Sequence, residues 1–522
     1  MLSIGLNSGT FTINTELQNP ICQKCNDDLK RNAVREFLET TCSYSVENKT
    51  CSRSYPACEV GKQAPVLDGL RMGKILLSVL TAVLGVTLYC VFNRSETKVD
   101  FPKTGYYGSG EPKPDDTSIK PFKIQVADKD IQDLKDRLKS ARIGHQQLED
   151  VPDFEYGFPL STLQQWRDHW LNKYDWRKHE AQLNAFPQFT TQVEGLRIHF
   201  IHAKPPAGYK KVVPLLLAHG WPGNVYEFYK LIPMLTDPKK HGLGDKVAFE
   251  VVAPSIPGYG WSEASHKRGL SVFVVARIFK KLMTDRLKFP KYLVQGGDWG
   301  SVVANAQGKL YPESLIGVHL NLAMLNMAHP ATFIRQIIGS YFPSLVFEDP
   351  AFSEFSLKKD LFFMVKESGY LHIQATKPDT VGVGLNDSPL GLLAYIGEKF
   401  STWTNPSFVQ AKDGGLEKFF TKDEVLTIIS IYWFNQNILP SQRLYRESFH
   451  NPDYLKFQDM YNSAPTGVSY FPHDLVASPK ELLLHSMNLT HYTVQKDGGH
   501  FAAFQLPKVL AEDVFKFAAS RL

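Results

Sequence analysis

Beyond residue 90 this chain of 522 residues contains no cysteine. All six (Cys22, Cys25, Cys42, Cys51, Cys58 and Cys90) fall in the first ninety positions. The long remainder therefore needs no disulfide, which suits a reducing compartment. Cys22-x-x-Cys25 lacks a matching second pair or nearby histidines, so its zinc or redox signal is weak. Also missing are a Gly-x-Gly-x-x-Gly after a strand, a P-loop and a His-Glu-x-x-His, which removes the commonest nucleotide-binding and metalloprotease readings. Charge of one sign is scarce: 58 Lys and Arg against 53 Asp and Glu leave a net +5, with no dense basic stripe. Nucleic acid is thereby excluded as a partner. No internal repeat or low-complexity tract is evident. What remains is an ordinary globular composition, 43% hydrophobic and 21% charged. It is enough for a large core and long enough for more than one structural unit.

Charge is absent from one long run, Ile75 to Phe92. As a helix it would rise about 27 Å, just enough to cross a bilayer's hydrocarbon. Arg71 and Lys74 precede it and Arg94 and Lys98 follow, so the flanking charge leaves orientation open. It reads as an uncleaved anchor within residues 72–94. Residues 1–71 are a polar extension rich in Asn, Thr and Ser, ending before Met72.

After the anchor, residues 93–120 read as a linker, with Gly105, Gly108, Gly110, Pro112 and Pro114. Helical spacing marks 127–143 and 160–174. From residue 196 strands and helices alternate. Strands are expected at 196–202, 212–218, 249–253 and 292–295, and helices at 225–235, 270–287 and 302–310. Alternation of this kind implies a parallel sheet with helices on both faces. It stops near residue 325. Residues 326–445 are rich in aromatics and helix-like, as an inserted lid would be. Strand pattern returns at 468–471 and 491–495, with a last helix from Pro507.

Three motifs carry chemistry. Gly296-Gly-Asp298-Trp-Gly300 follows an expected strand and precedes an expected helix, the setting of a nucleophile elbow. A turn that tight lifts its central side chain above the sheet, at a helix amino end that favours an anion. The central residue is Asp298, a nucleophile that needs no base to become charged. As a bland alternative, the aspartate simply caps the helix. His219-Gly-Trp-Pro-Gly223 follows an apolar strand, where this kind of fold offers backbone N–H groups to an oxyanion. Trp221 and Trp299 would supply those donors. Gly498-Gly-His500-Phe501 follows the last strand, the place of a general base. An orienting acid belongs between nucleophile and base, and Asp474 in Tyr470-Phe-Pro-His-Asp474 fits. Asp497 is too close along the same loop to reach the far ring nitrogen. Gly260-Trp-Ser262 lacks the second glycine of a serine elbow.

Taken together, these motifs resemble the microsomal epoxide hydrolase family, including its insect juvenile hormone epoxide hydrolase branch. The resemblance runs from Met72 to the end. It includes Thr376-Lys-Pro-Asp-Thr380, Leu385-Asn-Asp-Ser-Pro389, Glu398-Lys-Phe-Ser-Thr-Trp403 and Gly498-Gly-His-Phe-Ala-Ala-Phe504. It implies an α/β-hydrolase fold with a single N-terminal transmembrane anchor (72–94) and a linker with an N-terminal meander (95–195). The core would come in two parts (196–325 and 446–522) around the helical lid (326–445). It further implies that Tyr370 and Tyr445 hold the epoxide oxygen, two among 22 tyrosines that spacing alone does not single out. One departure is that the acid of this branch is often glutamate, whereas Asp474 is shorter. The implied reaction turns an apolar epoxide into a vicinal diol through an ester on Asp298, without metal or organic cofactor, at the endoplasmic reticulum membrane. A haloalkane dehalogenase would share the aspartate but needs halide donors rather than tyrosines. A carrier that has lost catalysis would not be expected to keep Asp298, Asp474 and His500 together.

Overall fold

The computed structural model describes residues 4–7, 10–13, 78, 81, 85 and 99–522, except 145, 146, 152, 327 and 328. The six cysteines and most of the expected anchor lie outside the described residues. Of that apolar run only Ser78, Thr81 and Gly85 are described, each helical. Among the described residues no helix is long and apolar enough to cross a membrane. Strands β1 (Ile4–Asn7) and β2 (Thr10–Ile13) form a small antiparallel ribbon of their own.

The principal unit is built on nine strands: β3 (Lys120–Phe122), β4 (Gln188–Val193), β5 (Leu196–Ala203), β6 (Lys211–Ala218), β7 (Val247–Pro254), β8 (Tyr292–Gly296), β9 (Leu315–Leu320), β10 (Asn462–Tyr470) and β11 (Met487–Val494). Their order across the sheet is β11-β10-β9-β8-β6-β7-β5-β4-β3. From β7 to β11 every pairing is parallel. The expected all-parallel sheet is corrected at the other edge, where β7, β5, β4 and β3 pair antiparallel. The cause is local. Glu194 and Gly195 both take positive φ (54° and 82°), giving the two-residue turn that joins β4 to β5 as a hairpin. The Glu194 carboxylate is buried and accepts two hydrogen bonds from the Arg277 guanidinium, each at 2.7 Å, and one from Lys281 at 2.8 Å. A strained turn residue is thus held by a fully paired buried charge.

Helix Val272–Lys281 covers the sheet with eight consecutive buried residues and runs on as a π-turn through Arg286. The helix expected at 225–235 is divided into a 3-10 turn, Val225–Phe228, and an α-helix, Leu231–Thr236. From Val99 the expected linker is tied down. Asp115 accepts backbone N–H groups of Glu194 and Gly195 and pairs with Arg286 at 2.9 Å.

Between β9 and β10 the chain leaves the sheet for a run of helices that begins with Pro330–Tyr341 and includes Leu357–Glu367, Gly369–Thr376, Pro389–Thr402, Lys422–Asn435 and Ile438–Phe449. The amino-terminal helices fasten onto this insert. His169 reaches Asp423 at 2.7 Å, and Arg137 donates to the Asp387 carbonyl at 2.8 Å. Helix Leu357–Glu367 is unusual. Six of its eleven residues are apolar, yet none is buried.

Candidate active site

Asp298 stands at the carboxyl end of β8, as the first residue of helix Asp298–Leu310, with φ at 48°. Few non-glycine residues accept that conformation, and it persists where the surroundings over-determine it. Gly300 is what permits the close approach. A Cβ there would collide with the Ala218 carbonyl at the end of β6. The neighbouring β6 loop reaches the same point from the other side. Trp221 N–H donates to Asp298 Oδ1 at 2.7 Å. That loop is braced by His219, whose Nδ1–H donates to the Gly220 carbonyl at 3.0 Å while Nε2 accepts Ile256 N–H at 3.0 Å. Burial holds this histidine at about 4, so it stays neutral and structural. The Trp299 N–H lies in the first helical turn, where intrahelical acceptors are lacking.

The second oxygen of Asp298 faces His500. Its Oδ2 is 3.3 Å from His500 Nε2, close enough for an ion pair but without hydrogen-bond alignment. On the far side of the ring, His500 Nδ1 donates to Asp474 Oδ1 at 2.7 Å, and both side chains are buried. The shorter acid therefore reaches. Asp497 does not share this contact. It accepts its neighbour's N–H from Gly498 and faces His473 at 3.4 Å. Burial works against a charged His500, but the Asp474 and Asp298 carboxylates outweigh it and raise the imidazole to about 10. The ring is further fixed through its backbone, because His500 N–H donates to the Trp403 carbonyl at 2.9 Å.

Above Asp298 the insert contributes Tyr370, from helix Gly369–Thr376, and Tyr445, from helix Ile438–Phe449. Their rings lie 6.0 Å apart at 85°. Tyr370 stacks on Trp221 (5.4 Å) and Tyr445 meets Trp299 edge-on (4.7 Å). The Tyr445 hydroxyl is buried and has no hydrogen-bond partner among the described residues. Burial above all raises both phenols well above 10, aided at Tyr370 by the negative charge of Asp298 and at Tyr445 by Tyr370 and then Asp298, so they remain donors. Lys399 lies over the Tyr370 ring at 5.2 Å.

Two cavities meet at Asp298. One, of about 90 Å³, is apolar and lined by Trp299, Leu322, Phe363, Met364, Tyr370 and Tyr445. The other is only about 20 Å³, room for a single water. It is bounded by Asp298, His500, Asn321 and Glu227. Burial, opposed by the charge of His500 and aided by that of Asp298, pushes Glu227 up to about 8. A larger polar cleft of about 420 Å³, lined by Lys267, Lys377, Arg443 and Arg446 among others, contains none of these groups. Among the described residues no cluster of three or more His, Cys, Asp or Glu side chains is arranged to hold a metal.

The structure thus gathers Asp298, His500, Asp474, Tyr370, Tyr445 and the Trp221 N–H at one point. Comparison with known proteins agrees in kind. Residues 119–228 match the family described as epoxide hydrolase N terminus, and residues 213–383 match the alpha/beta hydrolase fold. The chain is 44% identical over 447 residues to epoxide hydrolase 1 of Sus scrofa, covering 84% of this chain and 97% of that protein.

The chain belongs to the microsomal epoxide hydrolase family.

This epoxide hydrolase is also 42% identical over 450 residues to juvenile hormone epoxide hydrolase 1 of Ctenocephalides felis, covering 85% of this chain and 95% of that one. Among solved structures it is similar to the juvenile hormone epoxide hydrolase of the silkworm Bombyx mori. There the TM-score is 0.75 at 41% identity, over 81% of this chain and 99% of that one. The α/β-hydrolase fold expected for the epoxide hydrolase is established on both counts. Two parts of the site escaped the sequence reading. Glu227 lies in an apolar run that reads as a plain helix. Trp403 acts through its backbone carbonyl, which no side-chain pattern reports.

Proposed function

We propose that the enzyme opens apolar epoxides through a covalent ester on Asp298 and releases vicinal diols. The supporting observation is that the two oxygens of Asp298 are inequivalent. Oδ1 is held by the Trp221 N–H, while Oδ2 carries no such bond and faces His500. Oδ2 is then the attacking atom, and Oδ1 becomes the ester carbonyl, already seated where an oxyanion must be stabilised. Tyr370 and Tyr445 donate hydrogen bonds to the ring oxygen as it gains charge. Once Asp298 is esterified its negative charge is gone, and His500 loses one of the two charges that raise its proton affinity. It gives up its proton as the ring-opened alkoxide takes one up, and the neutral base that remains, held by Asp474, takes a proton from water that attacks the ester. The Trp299 N–H serves as second oxyanion donor. Mass spectrometry of acid-quenched His500→Gln enzyme, incubated with an aryl epoxide, is expected to find the substrate bound covalently on the peptide containing Asp298. An unmodified peptide in a folded variant that still binds the epoxide would overturn the ester.

The substrate class is apolar, supported by the lining of the 90 Å³ cavity. Juvenile hormone and a bulky aryl epoxide, compared by kcat/KM on the full chain, separate a hormone-directed enzyme from a detoxifying one. We further assign residues 72–94 to a single-pass anchor in the endoplasmic reticulum membrane, with the catalytic unit on the cytosolic side. Exposed Phe333, Tyr341, Leu361, Phe362 and Val365 on the insert, next to the Phe363 and Met364 that line the cavity, support uptake of substrate from the bilayer. Glycan on Asn488, within the sequon Asn488-Leu-Thr490, would place the catalytic unit in the lumen and refute this orientation.

A further inference from the structure

We infer that Glu227 positions the water that hydrolyses the ester, an inference that rests on the Asp298 ester reading above. The argument begins with the cavity. Its volume of about 20 Å³ admits one water, and its polar walls are Asp298, His500, Asn321 and Glu227. Asn321 is already engaged, accepting from Gln295 Nε2 at 2.8 Å. Asp474 and Trp221 engage the other faces of His500 and Asp298. The Glu227 carboxyl is different. Its backbone N–H donates to the Asn224 carbonyl at 3.1 Å, its carboxylate receives a backbone hydrogen bond from Asn224 in return, and the rest of the carboxyl meets the cavity. One backbone hydrogen bond leaves most of a carboxyl's acceptor capacity unused, and in a water-sized chamber a water supplies the remaining donor.

Its placement is specified by the sequence. The Glu227 carboxyl fills the space that a side chain at Gly223 would occupy, since a Cβ there would overlap Glu227 Oε1. The last glycine of the His219–Gly223 loop therefore makes room for an acid four residues later. That acid points back under the loop toward the nucleophile rather than outward from its 3-10 turn.

The geometry defines a step in which every atom is accounted for. A water in the chamber donates one O–H to His500 Nε2 and the other to a Glu227 carboxyl oxygen. This turns its lone pair toward Cγ of the Asp298 ester. The water oxygen bonds to Cγ, its first proton passes to His500, and the carbonyl electron pair moves onto Oδ1 at the Trp221 N–H. When that pair returns, the bond between Cγ and the diol oxygen breaks, and the departing oxygen takes the proton from His500. Asp298 is regenerated with the water's oxygen in its carboxyl group, and the water's second proton passes from there to His500, restoring the carboxylate and imidazolium of the resting enzyme. Glu227 gains and loses no proton and touches no substrate atom. It is a positioning residue.

The test separates the two half-reactions. Pre-steady-state quench of the full chain with an aryl epoxide reads formation and decay of the Asp298 ester. Glu227→Leu is expected to leave ester formation unchanged and to slow ester decay at least about tenfold. Steady-state kcat and KM then fall together while kcat/KM holds. Glu227→Gln, whose amide oxygen still accepts, is expected to restore most of the decay rate. Should the leucine variant fail to fold, Glu227→Ala carries the same expectation. Wild-type ester decay in the leucine or alanine variant would overturn the inference. So would a glutamine variant no faster than leucine, or equal loss in both half-reactions, the mark of a structural role. Ester trapped in His500→Gln together with normal decay in the Glu227 variants would sink only this inference. Absence of ester in His500→Gln would instead sink the ester reading on which it rests.

Discussion

Replacing Asp298 with Asn mimics the uncharged ester and should convert His500 from an acid into a base. In the resting enzyme, burial disfavours the imidazolium, but Asp474 and Asp298 raise it to about 10. The Asp298 carboxylate lies 3.3 Å from Nε2. At an effective dielectric of about 20, that separation is worth about 5 kcal/mol, or about 3 to 4 pH units. His500 in Asp298→Asn should therefore titrate at about 6 to 7. The assay is a pH titration of ¹⁵N-histidine-labelled protein followed by NMR, with the His500 signal assigned by its loss in His500→Gln. Titration near 10 in both proteins would show that Asp474 alone sets the proton affinity. Titration near 6.5 in the wild type would refute the paired-carboxylate picture altogether. A consequence for stability has a definite sign. The folded pKa lies above the unfolded value, so this group stabilises the fold fully below about pH 6.5. That contribution is lost as pH rises through about 10.

Tyr370→Phe and Tyr445→Phe should each lower kcat/KM about tenfold to a hundredfold, the value of one hydrogen bond to a charged oxygen. Thermal midpoints should be little changed, and equal activity in both variants would remove the phenols from the reaction. Asp474→Asn should leave ester formation intact and slow its decay, read by the same quench; unaffected decay would mean another group orients His500. Glu194→Ala leaves Arg277 buried without its bidentate partner and should destabilise the fold by about 3 to 5 kcal/mol in chemical denaturation. A loss under about 1 kcal/mol would show that water or Tyr107 replaces the carboxylate.

The sequence was most informative where a local pattern has one physical solution. The elbow around Asp298, the loop at His219–Gly223 and the histidine after the last strand are each defined by glycines in a fixed chain order. Strands β6 to β8 are continuous apolar runs between turns, and they were legible for that reason. The antiparallel edge was not, because Gln188–Val193 contains the polar run Thr190-Thr-Gln192, which breaks a strand's alternation, and its hairpin turn uses Glu194 where asparagine or aspartate is usual. Strand β9 was passed over because its His319 interrupts an apolar pattern. In the fold its Nε2 is paired with Asp513 at 3.0 Å. Tyr370 and Tyr445 needed the family resemblance, since their meeting depends on how two helices of the insert cross. Glu227 was hidden by a change in helical type. A 3-10 turn at Val225–Phe228 directs a side chain where a continuous α-helix would not.

The two cavities that meet at Asp298 also divide the reaction between two phases. On the proposed route the epoxide enters an oily side walled by Phe363, Met364 and Leu322, and water takes the other, a chamber with space for one molecule. The carboxylate is the partition between them, and on the proposed route the substrate reaches the water side as the ester. A strained ring that bulk water would open without selectivity would thus meet water only one molecule at a time, after its carbon has already been claimed.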